Sequence, residues 1–340
     1  MGTAASSRDK SVLVLNHHAV QMGAPGHTRD VELFGRLSGW DVTIVAADRL
    51  LLGGERYTHR DDIFRTLPTL PYSRAKLTRV LNWASFAVSA VLYGLFTRKR
   101  AVVYASSPHL LAGLAGWIVA RRHRAPFVLE IRDIWPMILV EMRTLSDTST
   151  IYRLLRRLEG FLYRKADVVV VFANGTKSYL ETEGVDPGRI WLIPNGAEPS
   201  DFASQGSRDS IRQQLGVHGL AVLYAGAHGI ANGLDQVLDA AGELRETCPE
   251  AQFFLIGGGP ERAGLQERAR TELLTNVTFL PAVSKSEMAD VYSAADVGLH
   301  VLADVNLFRY GVSPNKVSDY MAAGLPVVTN SPGEVTELVE

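Results

Sequence analysis

A repeated alternation of short apolar runs with segments of helical periodicity restricts this chain to one class of fold. The runs are dominated by valine, isoleucine, leucine and phenylalanine, which is typical of strands buried on both faces of a parallel sheet. Helical segments follow most of the runs, as crossover connections between parallel strands require. We therefore predict an α/β chain with strands at residues 12–16, 42–46, 102–105, 127–131, 168–172, 221–224, 253–256, 277–280, 297–301 and 326–329, and with a further strand that begins at residue 190 and ends at the turn at 194–196.

The alternation is interrupted once, at residues 198–208, where Pro, Ser and Gly occur without periodicity. A chain of 340 residues exceeds what one hydrophobic core usually fills. We expect two Rossmann-like domains, residues 1–198 and residues 199–340. A further helix should begin after Pro332, and we expect this last cover of the second sheet to be cut short at Glu340.

The near-neutral total charge conceals two halves of opposite sign. The chain has 35 basic and 36 acidic side chains, a formal net charge of −1. Residues 1–170 carry 24 and 14 of these, a net of +10, whereas residues 171–340 carry 11 and 22, a net of −11. Aromatic residues do not interleave with the cations as stacking platforms, so we expect no nucleic-acid partner.

Cysteine content and hydropathy bear on the compartment. Cys248 is the only cysteine, which excludes an internal disulfide and a zinc site built from several thiolates. Residues 1–10 are polar, unlike a signal peptide. The longest apolar stretch, residues 80–96, is shorter than the ~20 residues of a spanning helix. We expect a cytoplasmic protein.

Three strand ends in the first half carry candidate site residues. Gly23 and Gly26 allow close backbone approach to a phosphate near Arg29, at the start of a helix; the alternative is a flexible connecting loop. His109 follows the strand at 102–105 and suits the wall of a cleft, although Ser107 as N-cap and Pro108 as first helical residue explain the rest of that turn. His17 and His18 are interpreted as packing and capping residues.

The third strand end has the sequence Glu130-Ile-Arg-Asp-Ile-Trp-Pro136. Three charged side chains would be unfavourable in a core, so we expect Glu130, Arg132 and Asp133 to face a cleft. With Trp135 they suit the hydroxyls and the apolar face of a sugar. A purely structural ion pair between Arg132 and a carboxylate is the alternative.

In the second half, two glycine turns follow strands, at residues 224–233 and 256–262, and either could hold a phosphate on backbone amides. The richest segment is residues 309–329, where a loop opens a helix and directs its positive end toward an anion. Lys316 and Arg309 add charge for a diphosphate. Asp319 lies three residues after Lys316, so both should project from one side of that helix.

These motifs together resemble the family-4 retaining glycosyltransferases, and in particular the bacterial cell-surface polysaccharide branch that includes L-fucosamine and O-antigen transferases. The resemblance implies the GT-B fold, in which two Rossmann-like domains with parallel sheets face a central cleft. The first domain would bind the acceptor and the second the nucleotide-sugar. The resemblance rests on the blocks Tyr104–His109, Glu130–Pro136, 194–196, 257–262, 294–296 and Ser313–Val328.

Carried over residue by residue, Asp319 stands where the second acid of the family's paired-acid motif holds the nucleotide ribose. The first acid, which contacts the donor sugar, is replaced here by Gly311. The family's diphosphate-binding Arg and Lys fall near Ala227 and Asn232, so we predict that Lys316 and Arg309 replace them. The family's histidine near the reacting sugar aligns with Arg132, which leaves Asp133 as the polar contact.

The resemblance implies a complete set of site residues and partners. The predicted catalytic residues are Asp133, Lys316 and Arg309. The predicted donor-binding residues are Gly23, Gly26, Gly226, Gly311, Val312, Ser313, Asn315 and Asp319. The predicted acceptor-binding residues are His109, Glu130, Arg132 and Trp135. The donor would be a nucleotide diphosphate sugar, with UDP expected, and the acceptor a polyprenyl-diphosphate-linked or free saccharide.

The implied mechanism needs no protein nucleophile, because the leaving diphosphate accepts the proton of the acceptor hydroxyl; we expect no metal or other cofactor. The basic first half is predicted to touch the cytoplasmic face of the inner membrane through an apolar stretch with flanking cations; the alternative is an ordinary buried helix with solvated ends. The predicted cations are Arg74, Lys76, Arg79, Arg98, Lys99 and Arg100.

Two other functions fit the same sequence. A nucleotide-sugar 2-epimerase of this fold would form product without an acceptor. A truncated, non-catalytic nucleotide-sugar-binding protein is favoured by Gly311 and by relatives that continue past Glu340.

Overall fold

A computed structural model of the chain describes residues 10–24, 26, 28–51, 54–73, 75–204 and 206–340, without the side chains of residues 76, 285, 286, 306 and 309. The chain forms two compact units, Met1–Ile193 and Pro194–Glu340. The division lies a few residues before the sequence-based boundary at residue 198. Each unit is a parallel sheet with helices, so the predicted fold class is confirmed.

The first unit contains a sheet of seven strands in the order β3-β2-β1-β4-β5-β6-β7, with every neighbouring pair parallel. The strands are β1 (Ser11–Leu15), β2 (Asp41–Ala47), β3 (Phe64–Leu67), β4 (Val102–Ser107), β5 (Phe127–Ile131), β6 (Val168–Val171) and β7 (Ile190–Leu192). The helices are α1 (Arg29–Phe34), α2 (Lys76–Phe96), α3 (Leu110–His123), α4 (Met137–Glu141), α5 (Thr150–Lys165) and α6 (Asn174–Thr182). All of β1 and most of β2 are buried, as continuous apolar runs predict.

The second unit contains five parallel strands in the order β10-β9-β8-β11-β12. The strands are β8 (Leu220–Ala225), β9 (Ala251–Ile256), β10 (Val277–Leu280), β11 (Val297–His300) and β12 (Val327–Thr329). The helices are α7 (Arg208–Leu215), α8 (Asp235–Thr247), α9 (Arg262–Thr271), α10 (Lys285–Ala294), α11 (Asn315–Ala322) and α12 (Glu334–Val339). Two apolar clusters cover the two faces of this sheet, one around Tyr224 and one around Tyr320.

Two helices and one strand escaped the sequence analysis because each is short and buries at most one residue. β3 is a short edge strand, and α4 buries none of its residues. α7 begins inside the segment that we predicted as a linker; its N-cap Ser207 accepts a hydrogen bond from the amide of Ser210, and Ile211 alone is buried. Local capping, rather than apolar periodicity, determines this helix.

α2 is longer than the apolar stretch that we identified in the sequence. Within the described residues, Leu77–Phe96 is one helix that is long and apolar enough to cross a membrane by length and composition. The prediction of a stretch too short to span is therefore wrong on length. The helix nevertheless buries Phe86, Ala90 and the polar Asn82 within the first unit and packs against α3.

Candidate functional site

Glu130 is the centre of a buried polar network at the carboxyl ends of the strands of the first unit. Its carboxylate accepts hydrogen bonds from the hydroxyls of Tyr104 (2.5 Å) and Ser106 (2.6 Å), which lie on the neighbouring strand β4. Glu130 is fully buried. The expectation that it faces an open cleft is therefore wrong, because strand β4 supplies two donors that hold it inside. Contact between Glu130 and an acceptor stays a prediction.

Arg29 is the cation that neutralises Glu130. Its Nε lies 3.2 Å from Glu130 Oε2, its Nη2 donates to the carbonyl of Ile193 (2.8 Å), and its guanidinium stacks on the ring of Phe172. The side chain is buried. We expected Arg29 to lie near a bound phosphate at the start of a helix. Instead, its guanidinium forms an ion pair with Glu130 and a hydrogen bond with the carbonyl of Ile193.

A second buried pair completes the network. Arg132 Nη1 lies 3.7 Å from Glu130 Oε1, so the predicted alternative of a structural ion pair at Arg132 is present. Asp30 is buried and accepts a hydrogen bond from Asn16 Nδ2 (2.5 Å). Burial, followed by the charge of Glu130, raises the pKa of Asp30. Two guanidinium groups thus face two carboxyl groups inside one unit.

Beyond this network, the strand-end motif reaches the surface. Asp133 is exposed, unlike Glu130. Trp135 is buried beside Trp83, with the two rings edge to face at 5.4 Å. Within the described residues its indole Nε1 has no hydrogen-bond partner. Asp133 is therefore accessible from solvent, whereas the indole N–H of Trp135 is enclosed; acceptor contact by Asp133 and Trp135 stays a prediction.

His109 caps α3 and belongs to a directed chain of hydrogen bonds. The amide of Ala112 donates to His109 Nδ1 (3.3 Å), so the proton of His109 is assigned to Nε2, which lies 2.7 Å from His17 Nδ1. His17 in turn bonds the side chain of Asn82. Burial lowers the pKa of His17 to about 3 and lowers that of His109 well below its usual value.

The chain of histidines corrects the predicted cap of α3. Ser107 ends β4, and His109, not Ser107, is the N-cap, so Pro108 is not the first helical residue. Both imidazoles are buried and neutral, which agrees with the interpretation of His17 as a packing residue. Within the described residues no group of three or more His, Cys, Asp and Glu could hold a metal ion. Acceptor contact by His109 stays a prediction.

The loop after β1 uses its glycines in different ways. Gly23 has a φ of +89° and open space around its α-carbon. Gly26 has a φ of +146°, and a Cβ there would lie 3.1 Å from the side chain of Val20. Pro25 and His27, on either side of Gly26, lie outside the described residues. Phosphate binding by Gly23 and Gly26 stays a prediction.

In the second unit, the two glycine turns pack directly against each other. A Cβ on Gly257 would lie 1.9 Å from the carbonyl oxygen of Gly226, and a Cβ on Gly259 would lie 2.3 Å from that of His228. The amides of Gly226 and His228 donate to the carbonyls of Ile256 (2.9 Å) and Gly258 (2.8 Å). The amides of Gly226 and His228 are therefore used within the fold, and the glycines serve close packing. Phosphate binding by the other amides of these two turns stays a prediction.

Lys316, on the first turn of α11, reaches back across the strand ends. Its ammonium donates to the hydroxyl of Tyr224 (2.9 Å) and to Asn232 Oδ1 (3.2 Å), and it lies 4.0 Å from the centre of the Tyr224 ring. Although the residue as a whole is half-buried, its ammonium is enclosed, and this burial lowers the pKa of Lys316 to about 7. Gly226 leaves the space, because a Cβ there would approach Nζ to 3.1 Å.

The groups around Lys316 are cationic or neutral. His228 and His300 are fully buried, and burial lowers the pKa of each to about 4. The charge of Lys316 contributes to both shifts. Within the described residues, the Nε2 of His300 has no hydrogen-bond partner, whereas the imidazole of His228 bonds the backbone of Ile256. The site thus combines one ammonium with one imidazole nitrogen, the Nε2 of His300, that has no partner among the described residues.

The loop before α11 is held by the segment that begins the second unit. The amide of Asn195 donates to Ser313 Oγ (2.8 Å), and the side-chain amide of Asn195 bonds the Ser313 carbonyl. Gly311 has a φ of +81°, which favours glycine, and Val312 is half-buried beside it. Asn315 is the exposed first residue of α11. The predicted donor residues Gly311, Val312, Ser313 and Asn315 therefore form one anchored loop.

Asp319 lies one turn after Lys316 and is half-buried. Its charge contributes to the raised pKa of Tyr292 and of Tyr320, so the carboxylate lies within electrostatic range of both phenols. The side chain of Arg309 lies outside the described residues, as do Arg74 and the side chain of Lys76. Their roles stay predictions.

Sequence reasoning did not identify Tyr224 and Asn195 and did not assign the two histidines. Tyr224 ends an apolar strand and reads as a core residue, yet its hydroxyl accepts from Lys316 and donates to the carbonyl of Ala227 (2.8 Å). Asn195 lies in the Pro-Asn-Gly turn at residues 194–196, and its polar side chain was the available signal. For His228 and His300, position at a strand end was the signal.

Two family descriptions match the two halves of the chain. Residues 34–196 match the glycosyl transferase 4-like domain, and residues 219–340 match glycosyl transferases group 1. D-inositol 3-phosphate glycosyltransferase of Rhodococcus erythropolis is 30% identical over 242 residues, 67% of this chain and 52% of that protein. WcaI of Escherichia coli K12, named for colanic acid biosynthesis, is 24% identical over 264 residues, 75% of this chain and 64% of that protein.

The chain spans about half the length of most of the curated relatives it matches. Among solved structures, HepE from Anabaena in complex with UDP and glucose has a TM-score of 0.68 at 18% identity, covering 97% of this chain and 83% of that one. WaaG, a glycosyltransferase involved in lipopolysaccharide biosynthesis, has a TM-score of 0.66 at 16% identity, covering 96% and 83%. The fold is GT-B, and the chain belongs to the family-4 glycosyltransferases.

Proposed function

We propose that this protein is a retaining glycosyltransferase that moves a hexosyl or N-acetylhexosaminyl group from a nucleotide diphosphate sugar to a lipid-linked or saccharide acceptor in cell-surface polysaccharide synthesis. The observation that carries the proposal is the enclosed ammonium of Lys316, whose hydrogen-bond acceptors, Tyr224 and Asn232, are both neutral. A buried charge is stable when it is paired. The missing counter-charge is the diphosphate of the donor.

The surroundings of Lys316 support an anion of this kind. The positive end of α11 points to the same loop, and its N-cap, Pro314, has no side-chain acceptor for the first amides. Ser313 accepts from Asn195, which leaves its hydroxyl hydrogen able to donate to a ligand. Asp319 would hold the ribose, as the family motif implies. HepE, which shares the fold, is known in complex with UDP-glucose, and UDP is the nucleotide we expect here.

The names of the relatives support the acceptor class. WcaI is named for colanic acid biosynthesis, WbjE of Pseudomonas aeruginosa is named a probable glycosyltransferase, and WaaG is described as acting in lipopolysaccharide biosynthesis. In the first unit, the exposed Asp133 would meet an acceptor saccharide, with Arg132 beside it. We propose a polyprenyl diphosphate carrier and a cytoplasmic location.

The proposed chemistry is substitution at the anomeric carbon with retention. The bond from C1 to the diphosphate oxygen breaks, the bond from C1 to the acceptor oxygen forms on the same face, and the acceptor proton passes to the diphosphate. The chain contributes charge stabilisation, because Lys316 and the anchored loop face the developing negative charge. Asp133 would orient the acceptor. We propose that the reaction needs no metal.

The experiment compares donor binding and transfer in the natural chain and in Lys316→Met, with a panel of nucleotide-sugars and a polyprenyl-diphosphate acceptor. Methionine keeps the length of the side chain and removes the charge, so we expect donor affinity to fall by about 10- to 100-fold. Lys177→Met, on α6 of the first unit, is the matched control and should leave affinity unchanged. Equal donor affinity in Lys316→Met and the natural chain would overturn the site.

A non-catalytic nucleotide-sugar-binding protein is the second candidate, favoured by Gly311 in place of the family's first acid. It predicts donor binding that depends on Lys316 with no sugar transfer to any acceptor. Product with inverted anomeric configuration would instead disprove retention.

A further inference from the structure

We propose that Arg262 is a positioning residue for Lys316, on which it acts through the two glycine turns of the second unit. The inference rests on the proposed function, because it assigns a further residue to the site that would bind the donor diphosphate. The turns lie at residues 224–233 and 256–262, at the ends of strands β8 and β9. The proposed reaction leaves the second of these turns without a role.

Arg262 joins the ends of two neighbouring strands. It is the first residue of α9, and its Nη1 donates to the carbonyl of Gly257 and to that of Leu280 (3.0 Å). Gly257 follows β9 and Leu280 ends β10, which is the neighbour of β9 in the sheet. The amide of Gly257 donates to the same Leu280 carbonyl (3.2 Å). Arg262 therefore fixes where the backbone of the second turn lies.

Gly257 lies directly against Gly226 of the first turn. A Cβ on Gly257 would lie 1.9 Å from the carbonyl oxygen of Gly226, and the φ of Gly257 is +140°, which favours glycine. The amide of Gly226 donates to the carbonyl of Ile256 (2.9 Å). Both sides of this contact are backbone atoms, which cannot move aside as the end of a flexible side chain can. A displacement of Gly257 would therefore displace Gly226.

Gly226 in turn borders the ammonium of Lys316. A Cβ on Gly226 would lie 3.1 Å from Lys316 Nζ and 3.2 Å from the hydroxyl oxygen of Tyr224. That hydroxyl accepts a hydrogen bond from the ammonium (2.9 Å). The space beside Gly226 thus holds the cation and one of its acceptors together. Arg262, Gly257, Gly226 and Lys316 form one continuous series of contacts across the strand ends.

His228 is a second connection between the two turns. Its amide donates to the carbonyl of Gly258 (2.8 Å), and its own carbonyl accepts from the amide of Glu261 (3.0 Å), the residue before Arg262. The charges of Arg262 and Lys316 both contribute to the lowered pKa of His228. Both cations therefore lie within electrostatic range of one imidazole and belong to one site.

The enclosure of the ammonium is the property that Arg262 would maintain. Burial lowers the pKa of Lys316 to about 7. The titratable groups around it are the phenol of Tyr224 and the imidazoles of His228 and His300, and Asp319 lies one turn later on the same helix. If the turns separate, water reaches the ammonium, and its pKa rises toward the ~10.4 of an exposed lysine. The pH profile of Lys316 therefore reports the position of the turns.

The first measurement is the rate of acetylation of Lys316 by acetic anhydride from about pH 6 to about pH 10, followed by peptide mass spectrometry. In Arg262→Gln we expect the midpoint of the profile to rise by about one pH unit or more, and the limiting rate to rise as well, because the amine becomes accessible. Gly257→Ala should have the same effect without a change of charge, because its Cβ would push on the carbonyl of Gly226.

The second measurement is the affinity for UDP in titration calorimetry. Arg262→Gln should weaken binding about tenfold, because the ammonium is no longer held in place. Arg262→Lys keeps the charge and one carbonyl contact, so its loss should be smaller, about threefold. Arg270→Gln, also on α9, breaks an exposed ion pair with Glu267 and is the matched control, which should leave both measurements unchanged.

Circular dichroism checks that each variant is folded. An unchanged acetylation profile of Lys316 in folded Arg262→Gln and Gly257→Ala would overturn the proposal. The profile needs no donor, so it tests the positioning role even where Lys316→Met leaves donor affinity unchanged. A shifted profile with unchanged UDP affinity would support the contacts between Arg262 and Lys316 and overturn the proposed role of Lys316 in donor binding.

Discussion

The two units differ in whether their buried charged groups are paired within the protein. In the first unit, Arg29 and Arg132 face Glu130 and Asp30, so cations and carboxyl groups are matched inside the protein. In the second unit, the ammonium of Lys316 has only neutral acceptors among its hydrogen bonds. A matched network stabilises and orients strand ends, whereas an unmatched cation is ready for a ligand. We therefore interpret Glu130 and its partners as positioning residues and Lys316 as a binding residue.

The largest effect should come from removing the central carboxylate of the matched network. Glu130→Ala leaves the buried guanidinium of Arg29 without its partner and the hydroxyls of Tyr104 and Ser106 without an acceptor. We expect the free energy of unfolding to fall by about 3–5 kcal/mol in urea titration. Glu183→Ala breaks a more exposed pair with Arg156 and should cost less than about 1 kcal/mol. Equal losses in the two variants would remove the distinction.

Acid should weaken the first unit through its buried histidines. The folded pKa of His17 is about 3, below the value near 6.5 of the unfolded chain. Between these values the unfolded state binds more protons, so stability is lost as the pH falls below about 6.5, by up to about 1.4 kcal/mol per pH unit. Urea unfolding at several pH values measures the slope, and His17→Leu should reduce it. An unchanged slope in that variant would contradict the assignment.

A carboxylate introduced beside the ammonium of Lys316 tests whether this cation lacks a counter-charge because it binds the donor. Asn232→Asp places a carboxylate where the amide oxygen now lies 3.2 Å from the ammonium. The new ion pair should raise the pKa of Lys316 and compete with the diphosphate, so donor affinity should fall about tenfold or more in titration calorimetry. Gln266→Glu adds the same charge on exposed α9 as a control. Donor affinity equal to that of the natural chain would show that Lys316 does not meet the donor.

The smallest effect should come from the loop that carries Lys316. Ser313→Ala removes the acceptor of the Asn195 amide and should cost about 1 kcal/mol of unfolding free energy. Thermal unfolding of the second unit measures the loss. Donor affinity should fall as well, because the loop is less firmly placed. A stable loop with unchanged affinity would indicate that the Ser313 carbonyl alone anchors it.

The two parallel sheets could be predicted from the sequence, because a strand buried on both faces is visible locally as a continuous run of apolar residues. It did not predict the burial of Glu130, because the partners Arg29 and Tyr104 come from distant elements. It selected Lys316 from its position at a helix start, but the reach of the ammonium to Tyr224 and Asn232 depends on the space at Gly226. A charged residue at the end of an apolar strand gives the same sequence pattern whether or not another element supplies a residue of opposite charge.

The hydrogen bonds of Asn82 fix the rotational setting of α2. Adjacent residues of a helix differ by about 100° around its axis, so a turn by one residue would carry Asn82 to the exposed position of Leu81 and Trp83 into the position of Asn82. The Asn82 amide would then lose Leu70 and His17, and the chain of imidazoles to His109 would end without an acceptor. The polar side chain of Asn82, together with the buried Phe86 and Ala90, therefore determines which residues of α2 face solvent.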